Sequence, residues 1–292
     1  MTRMTRMTRD DFRMLHRLRV RWAEVDMQKI VFNGHYLMYF DTAMADYWRA
    51  LALPYEQTMH DLGGDLYVKK ASVEYHGSAR YDDQLDVGLK CQRIGNSSIQ
   101  FIGAIFCGAQ LLITSELIYV YANPATQTSL PVPETLRTIL EGFEAGEAMT
   151  MCQLGTWDAL RANSQTVRTD VFVGEQGIAP QDEWDEADAT AVHAVLTNRY
   201  GVPLGTARLL QPQVAVGQIG RMAVTRLMRG SGFGHALLQA LVQAAQNRGD
   251  REVRLHAQRS AEGFYRRQGF VAVGEPFDEV GIAHIEMRRS LP

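Results

Sequence analysis

The sequence predicts an α+β unit over residues 16–143 followed by a mixed α/β unit over residues 151–292. Three observations predict it. One long amphipathic segment with an aromatic face precedes four strand-like runs, the pattern of a curved antiparallel sheet wrapped around a single helix. Residues 144–150, EAGEAMT, are small, acidic and aperiodic, the composition of a linker. Beyond them, strand and helix patterns alternate. At 292 residues the chain has room for about two domains, and its 46% apolar and 22% charged residues let each half bury its own core.

Residues 1–9 read MTR MTR MTR. The repeat is basic, but no apolar segment follows it, so it is not a secretory signal, and residues 1–15 are expected to form a disordered tail. Arg17 to Trp22 alternate charged and apolar side chains, the period of a half-buried strand. Leu37, Phe40, Met44, Tyr47, Trp48 and Leu51 recur at helical spacing, giving a helix over 35–51 with Asn33-Gly34 as its N-cap region. Strands are expected at 66–76, 84–94, 97–107 and 110–122, joined as hairpins at Gly95-Asn96 and Gly108. Asn123-Pro124 and Pro131 to Pro133 end the sheet, and Glu134 to Phe143 form a short helix. In the second half, Trp157, Leu160, Val167, Val171 and Phe172 punctuate a helical stretch that ends before Gly174 and Gly177. Strands follow at 190–198, 203–210 and 217–224. The helix over 233–247 carries Leu237, Leu238, Leu241, Val242 and Ala245 on one face and stops at Gly249. A strand at 252–257, a short helix at 260–268 and two final strands complete the unit.

Several function classes are excluded on composition. Net charge is −3 and neither half has the basic excess that phosphate-backbone binding needs, so no nucleic-acid partner is expected. No run approaches the ~18 apolar residues of a membrane span. Three cysteines, Cys91, Cys107 and Cys152, form no C-x-x-C pair and suit reduced thiols in a cytoplasmic location. The eight histidines are dispersed, and no metal is expected.

Chemistry is concentrated in two places. In the second half, a strand ending near Val224 leads through a basic loop into Arg229-Gly230-Ser231-Gly232-Phe233-Gly234 and then a helix. Glycines let the backbone approach a ligand, and the free N–H groups of a helix start attract a pyrophosphate. With Ala261-Glu262-Gly263-Phe264-Tyr265 and Gly269-Phe270 downstream, residues 150–290 resemble a GNAT-type N-acetyltransferase. The resemblance extends to Val171-Phe172-Val173-Gly174-Glu175-Gln176 and to Gly281 through Met287. Arg229 stands where Gln is common, which leaves the backbone cradle intact. The resemblance implies acetyl-CoA or another acyl-CoA as donor and a small-molecule or protein amine as acceptor. By it, Met222, Ala223 and Val224 hold the pantetheine arm through main-chain groups. Arg229, Gly230, Ser231, Gly232, Phe233, Gly234 and His235 hold the pyrophosphate, and Tyr265 protonates the departing thiolate. The attacking amine must lose a proton, and Glu175 and His193 are both candidate bases. The acidic run Asp182 to Glu186 is expected to be a solvated surface loop.

In the first half, Asp26 lies between the first strand and the aromatic helix. A carboxylate there can act on a carbonyl whose oxygen is held by helix-end N–H groups. The pattern from Val20-Arg21-Trp22 through Glu24, Asp26 and Ile30-Val31-Phe32 to Tyr36-Leu37 is similar to the 4-hydroxybenzoyl-CoA thioesterase family of hotdog-fold acyl-CoA hydrolases, over about residues 15–135. That likeness implies that Asp26 is the catalytic carboxylate and that the backbone of Asn33 to Tyr36 polarises the thioester carbonyl. Lys29 stands where the family often has Gly, and Asn33 where some members carry His or Tyr. Glu74, His76 and the Arg93 to Ser98 turn of a neighbouring subunit are candidates to complete the site, in a homodimer or homotetramer. Taken together, the two resemblances imply a bifunctional CoA-dependent enzyme, hydrolysing acyl-CoA and transferring acyl groups to an amine. The alternative is that one unit is non-catalytic, an oligomerisation scaffold or an acyl-CoA sensor.

Overall fold

In the computed structural model, which describes residues 7–292, the chain divides into two units, Met1–Met149 and Thr150–Pro292. The first unit contains β1 (Met14–Arg19), α1 (His35–Ala50), α2 (Tyr55–Leu62), β2 (Asp65–Tyr75), β3 (Gln84–Ile94), β4 (Ser98–Cys107), β5 (Gln110–Ala122) and α3 (Glu134–Glu144). Its five strands form one antiparallel sheet in the order β1-β3-β4-β5-β2. Helix α1 buries Tyr36, Tyr39, Phe40, Ala43, Met44, Tyr47 and Trp48, a three-to-four-residue spacing that lays one aromatic stripe on the sheet. The Phe40 ring lies over Gly103 of β4, where an added Cβ would fall 2.5 Å from it. Tyr47 meets Phe101 and Phe143 edge-on at centroid distances of 5.3 and 5.2 Å, contacts worth ~0.5–1.5 kcal/mol each beyond area burial. This is the helix wrapped by an antiparallel sheet that the hotdog resemblance implies.

Two expectations in this half need correction. The tail over residues 1–15 lies partly outside the described residues (1–6), and from Met7 the chain differs from it. Arg9–Asp11 form a 3-10 turn, Arg9 pairs with Asp86 at 2.8 Å, and Met14 already begins β1. The cause is Phe12, 6% exposed, whose ring covers Gly88 and meets Phe106 at 6.0 Å. The first strand ends at Arg19, and Trp22–Glu24 form a 3-10 turn because the buried Glu24 carboxylate accepts the Arg21 N–H and guanidinium. Within the expected Asn33-Gly34 region, Gly34 is the N-cap of α1, and no side chain caps that end. Helix α2 was not expected from the sequence.

The second unit contains β6 (Thr150–Gly155), α4 (Trp157–Arg168), α5 (Pro180–Glu183), β7 (Val192–Asn198), β8 (Pro203–Gln213), β9 (Val216–Val224), α6 (Phe233–Arg248), β10 (Glu252–Gln258), α7 (Glu262–Arg267), β11 (Val271–Glu279) and β12 (Ile282–Ser290). Its sheet runs β11-β12-β10-β9-β8-β7-β6, antiparallel except for the β9–β10 pair. Helix α6 buries Leu237, Leu238, Leu241, Val242 and Ala245 and ends at Gly249 in the left-handed conformation (φ 90°), which glycine adopts without strain. The mixed sheet flanked by helices is the GNAT architecture that the sequence implies.

The acidic run is a solvated loop only in part: Asp182, Asp185 and Glu186 are exposed, and Glu183, like Asp188 just beyond the run, is buried. Glu183 and Asp188 are 2% and 3% exposed and bind a buried arginine, Arg168, at 2.5 and 2.8 Å. An acidic stretch looks solvated only until its cations, distant in sequence, are known. Among the described residues no helix is long and apolar enough to cross a membrane, which leaves strand-built spans unaddressed.

Candidate functional site

The second unit opens a cleft where its two parallel strands part. Strands β9 and β10 pair from Val216–Glu252 to Ile219–Leu255 and no further. Beyond that point β9 stays with β8 as far as Val224, while β10 stays with β12 as far as Gln258. The divergence is anchored by a bulge at Arg221, whose φ is 49° and at which the β8–β9 register shifts. A cavity of about 400 Å³ fills the V, and Met222, His256, Gln258, Tyr265, Glu279 and His284 are among its lining residues.

At one end of the V lies the glycine loop. Gly230 and Gly232 have φ of 84° and 83°, and Gly232 is the N-cap of α6 with no side chain capping that end. The first N–H groups of a helix have no acceptor within it, so the loop and first turn present open donors at the positive end of a 16-residue helix. Gly234 has Met222 and Phe264 beside it, which places the first turn of α6 against the outer part of β9. Arg229 donates to the Val224 carbonyl at 3.0 Å and forks onto Glu175, with both N–O distances 2.6 Å. Ser231 and His235 sit on this loop and first turn, and His235 Nδ1 lies 2.7 Å from Gln268 Oε1. Met222, Ala223 and Val224 form the part of β9 beyond the bulge.

Tyr265 lies on α7 with its ring packed edge-on against Phe264 and Phe270. It is 8% exposed, and its hydroxyl lies 3.9 Å from Met222 Sδ. Burial pushes its phenol up to about 12, so the proton stays on oxygen at any physiological pH.

Neither candidate base lines the cleft. Hydrogen bonding from Arg229 holds the Glu175 carboxyl below its usual range, which makes it a poor proton acceptor while the pair persists. His193 is 1% exposed, tilted against the Trp157 ring at a centroid distance of 4.8 Å, with Nε2 2.9 Å from the Asp188 carbonyl oxygen. Burial pushes its imidazole down, as for a neutral core side chain. The residues that sequence reasoning missed are those forming the cleft walls. Arg208 reaches Asp185 and Asp188 at 2.6 and 2.8 Å, and Arg221 reaches Glu183 and Asp185 at 3.2 and 3.3 Å. These pairs tie the 180–188 segment to β8 and to the bulge of β9. Arg208 holds the Asp185 carboxyl below its usual range. Their signal in sequence is the acidic run itself, read without partners.

In the first unit, Asp26 sits in a tight loop closed by the Val25–Val31 bridge. Its N–H donates to the Ile30 carbonyl, its carbonyl accepts the Lys29 N–H, and its Oδ1 accepts the Gln28 N–H at 2.8 Å. Lys29 has a φ of 61°, the conformation glycine favours, so the loop keeps a glycine-type shape in spite of its side chain. Glu24 braces the loop from behind. It is 4% exposed, accepts the Tyr39 hydroxyl at 2.8 Å, and its carbonyl accepts the Phe32 N–H. Burial chiefly pushes up the Tyr36 phenol, with the Asp26 charge a smaller contributor, so this carboxylate is within electrostatic reach of the first turn of α1. That turn starts at Gly34 with no side-chain cap; the His35 N–H is taken by the Phe32 carbonyl, and no side chain caps the N–H groups that follow it. Asn33 acts through its carbonyl, which accepts the Tyr75 hydroxyl at 3.3 Å. Trp22, Met27, Phe32 and Met38 surround the loop as exposed apolar side chains.

The remaining candidates hold local structure within their own unit. His76 bonds Thr114 at 2.8 Å, Glu74 is exposed beside it, and Arg137 binds the Ile94 and Gly95 carbonyls of the 93–98 turn. Among the described residues, no three His, Cys, Asp or Glu side chains are grouped so as to hold a metal ion.

Comparison with known proteins assigns each unit separately. Residues 28–119 match the thioesterase superfamily, and residues 165–291 match the acetyltransferase (GNAT) domain. The uncharacterized N-acetyltransferase YjcF of Bacillus subtilis is 32% identical over 124 residues, 42% of this chain and 87% of that protein. An Aquifex aeolicus protein named "Putative esterase" is 30% identical over 92 residues, 32% of this chain and 71% of its own length. Among solved structures, an acyl-CoA N-acyltransferase from Pseudomonas aeruginosa is 37% identical with a TM-score of 0.42, covering 48% of this chain and 97% of that one.

Proposed function

The chain belongs to the thioesterase superfamily through its first unit and to the GNAT acetyltransferase family through its second, and from that premise we propose that it is a bifunctional acyl-CoA enzyme. The first unit hydrolyses an acyl-CoA thioester, and the second transfers an acyl group from acyl-CoA to an amine. The parted β9–β10 pair, with an open helix start at one end and a protonated Tyr265 at its side, is the observation that carries this reading.

In the second unit, the open N–H groups of residues 230–235 receive the pyrophosphate, and the unpaired inner edge of Met222 to Val224 receives the pantetheine arm. The thioester then lies in the V beside Tyr265. The amine nitrogen bonds to the carbonyl carbon, the C–S bond breaks, and the sulfur leaves as thiolate. A phenol near 12 is a weaker acid than a thiol near 8.5, so Tyr265 serves best as a hydrogen-bond donor to the charge growing on sulfur. Replacing Tyr265 by Phe is expected to lower kcat roughly 10²-fold with little change in KM for acyl-CoA. Absorbance titration of the phenol in the wild type should show no tyrosinate at position 265 below about pH 11, by difference from the variant. Gly232→Val forces a side chain into a left-handed N-cap and is expected to weaken CoA binding roughly tenfold or more, read by calorimetry.

In the first unit, the Asp26 carboxylate attacks the thioester carbonyl carbon or takes a proton from the water that does, and the start of α1 stabilises the oxyanion. The C–S bond breaks with CoA leaving as thiolate, and water's oxygen ends on the released acid. A second reading is favoured by one observation. Asp26 Oδ1 accepts the Gln28 N–H, an Asx turn, as in a loop whose aspartate is purely structural. Under that reading the unit is an oligomerisation scaffold, and Asp26→Asn leaves any thioester hydrolysis unchanged.

We place the protein in the cytoplasm as at least a homodimer through its first unit. The edge strand β2 exposes Tyr67, Val68 and Tyr75, apolar surface that a second copy would cover, and the three cysteines are free thiols. Sedimentation at micromolar concentration tests the assembly, and a monomer contradicts it.

A further inference from the structure

An amine acceptor is largely protonated near neutral pH, so acyl transfer needs a group in the cleft that removes a proton. Glu175 and His193 are turned to other partners. His256 and Glu279 both line the cleft. Pairing between β9 and β10 ends at Leu255, which makes His256 the first residue of β10 past the vertex of the V. Its Nδ1 lies 3.1 Å from Glu279 Oε2. An ionised carboxylate can only accept, so this contact keeps the ring proton on Nδ1 and leaves the Nε2 lone pair free.

Two further observations fix the pair. Phe277 meets the His256 ring edge-on at 4.9 Å and stacks at 6.1 Å on His284, so the imidazole has a packed wall on one side. Glu279 is set by the β11–β12 hairpin, pairing with Ile282 across the two-residue turn Val280-Gly281. Both turn residues have positive φ, 52° and 77°, and a β-branched residue is rare in that conformation. Strain of this kind persists where the surroundings over-determine the backbone, and it is enriched at functional sites. Here it delivers a carboxylate to the cleft.

We infer that His256, oriented by Glu279, is the base that deprotonates the attacking amine. This deepens the acyl-transfer reading and rests on it. Nε2 takes one proton from the ammonium and frees the lone pair that bonds to the carbonyl carbon, and the Nδ1–H bond to Glu279 stabilises the imidazolium. As the C–S bond breaks, a second proton passes from nitrogen to the departing sulfur, leaving the amide and CoA thiol. The imidazolium later returns its proton to solvent. Other ionisable groups face the pair from each neighbouring element. Glu286 is the cross-strand partner of His256 on β12 and is engaged by Arg288 at 2.6 Å. His284 lies beyond it on the same strand, Arg254 precedes His256 on β10, and Arg221 of β9, with Asp182, Glu183 and Asp185, forms the opposite wall. His256 is the catalytic residue and Glu279 a positioning residue.

The test uses the full chain with acetyl-CoA and three amine probes, 2-phenylethylamine, spermidine and an alanyl dipeptide. With any probe that the wild type acetylates, His256→Gln is expected to lower kcat/KM roughly 10²-fold and to remove the acid limb of its pH profile. CoA affinity by calorimetry should stay within about twofold, because the loop that holds CoA is untouched. Nitrogen NMR of the labelled ring should show the Nδ1–H form in the wild type and a mixture of both forms in Glu279→Gln. An unchanged pH profile in His256→Gln, or a wild-type ring protonated on Nε2, overturns the inference and leaves acyl transfer standing. Failure of the wild type to acetylate all three probes overturns the acyl-transfer reading and the inference with it.

Discussion

Asp26→Asn is expected to abolish amine-independent release of CoA thiol from an acyl-CoA, with kcat falling by about 10³-fold or more. The amide is isosteric, and its oxygen can still accept the Gln28 N–H that the carboxylate accepts now. The loop should therefore keep its shape while losing the electron pair that reacts. The buried brace behind it, Glu24 with Arg21 and Tyr39, is untouched by the substitution. A thiol-trapping assay over acyl-CoA chain lengths reads the effect, and a melting curve within a degree or two of wild type shows that the loss is chemical. Hydrolysis that survives the substitution undiminished assigns Asp26 to its Asx turn.

Arg168→Met is expected to destabilise the second unit by about 3 kcal/mol, because it removes one of two guanidinium partners from each of two buried carboxylates and leaves Glu183 with Arg221 and Asp188 with Arg208. Arg168 is 1% exposed and lies between the Trp157 and Trp184 rings at 5.6 and 4.6 Å while binding Glu183 and Asp188. Methionine replaces much of the packing and none of the charge. The pH dependence has a definite sign. Burial already pushes the Glu183 carboxyl up, and Arg168 is its largest opposing influence. In the variant that folded-state pKa rises further, so stability is retained below the unfolded value of about 4.3 and lost as pH rises through the folded one. The deficit against wild type should therefore shrink between pH 8 and pH 5. Scanning calorimetry at both values checks it, and a deficit that is the same at both contradicts the account by lost carboxylate pairing.

The sequence carried the fold where one local period decides it. The four strand runs after α1, the aromatic stripe of α1 itself, and α6 with its glycine stop are each visible within a short window. Phe12 and α2 were not legible for the opposite reason. A single ring covering Gly88 has no period to read, and an eight-residue helix spans only about two turns, too short a window to stand out between its neighbours. The site divides along the same line. The glycine loop is a local signature, because phosphate binding needs positive φ at neighbouring positions, and Gly230 and Gly232 supply it. Lys29 is instructive, since it adopts the backbone of the glycine it replaces, so the departure from pattern did not signal a different loop. The walls of the cleft were hidden because each contact joins strands far apart in sequence. Arg168 meets Asp188, Arg221 meets Glu183, and His256 meets Glu279 only after the sheet has formed.

Thiol release from one acyl-CoA, measured with and without an amine across wild type, Asp26→Asn and Tyr265→Phe, bears on the two-site claim most directly. Two separate centres predict that Asp26→Asn removes the amine-independent rate and spares the amine-dependent increment, and that Tyr265→Phe does the reverse. One activity lowered by both substitutions, or by neither, would contradict it.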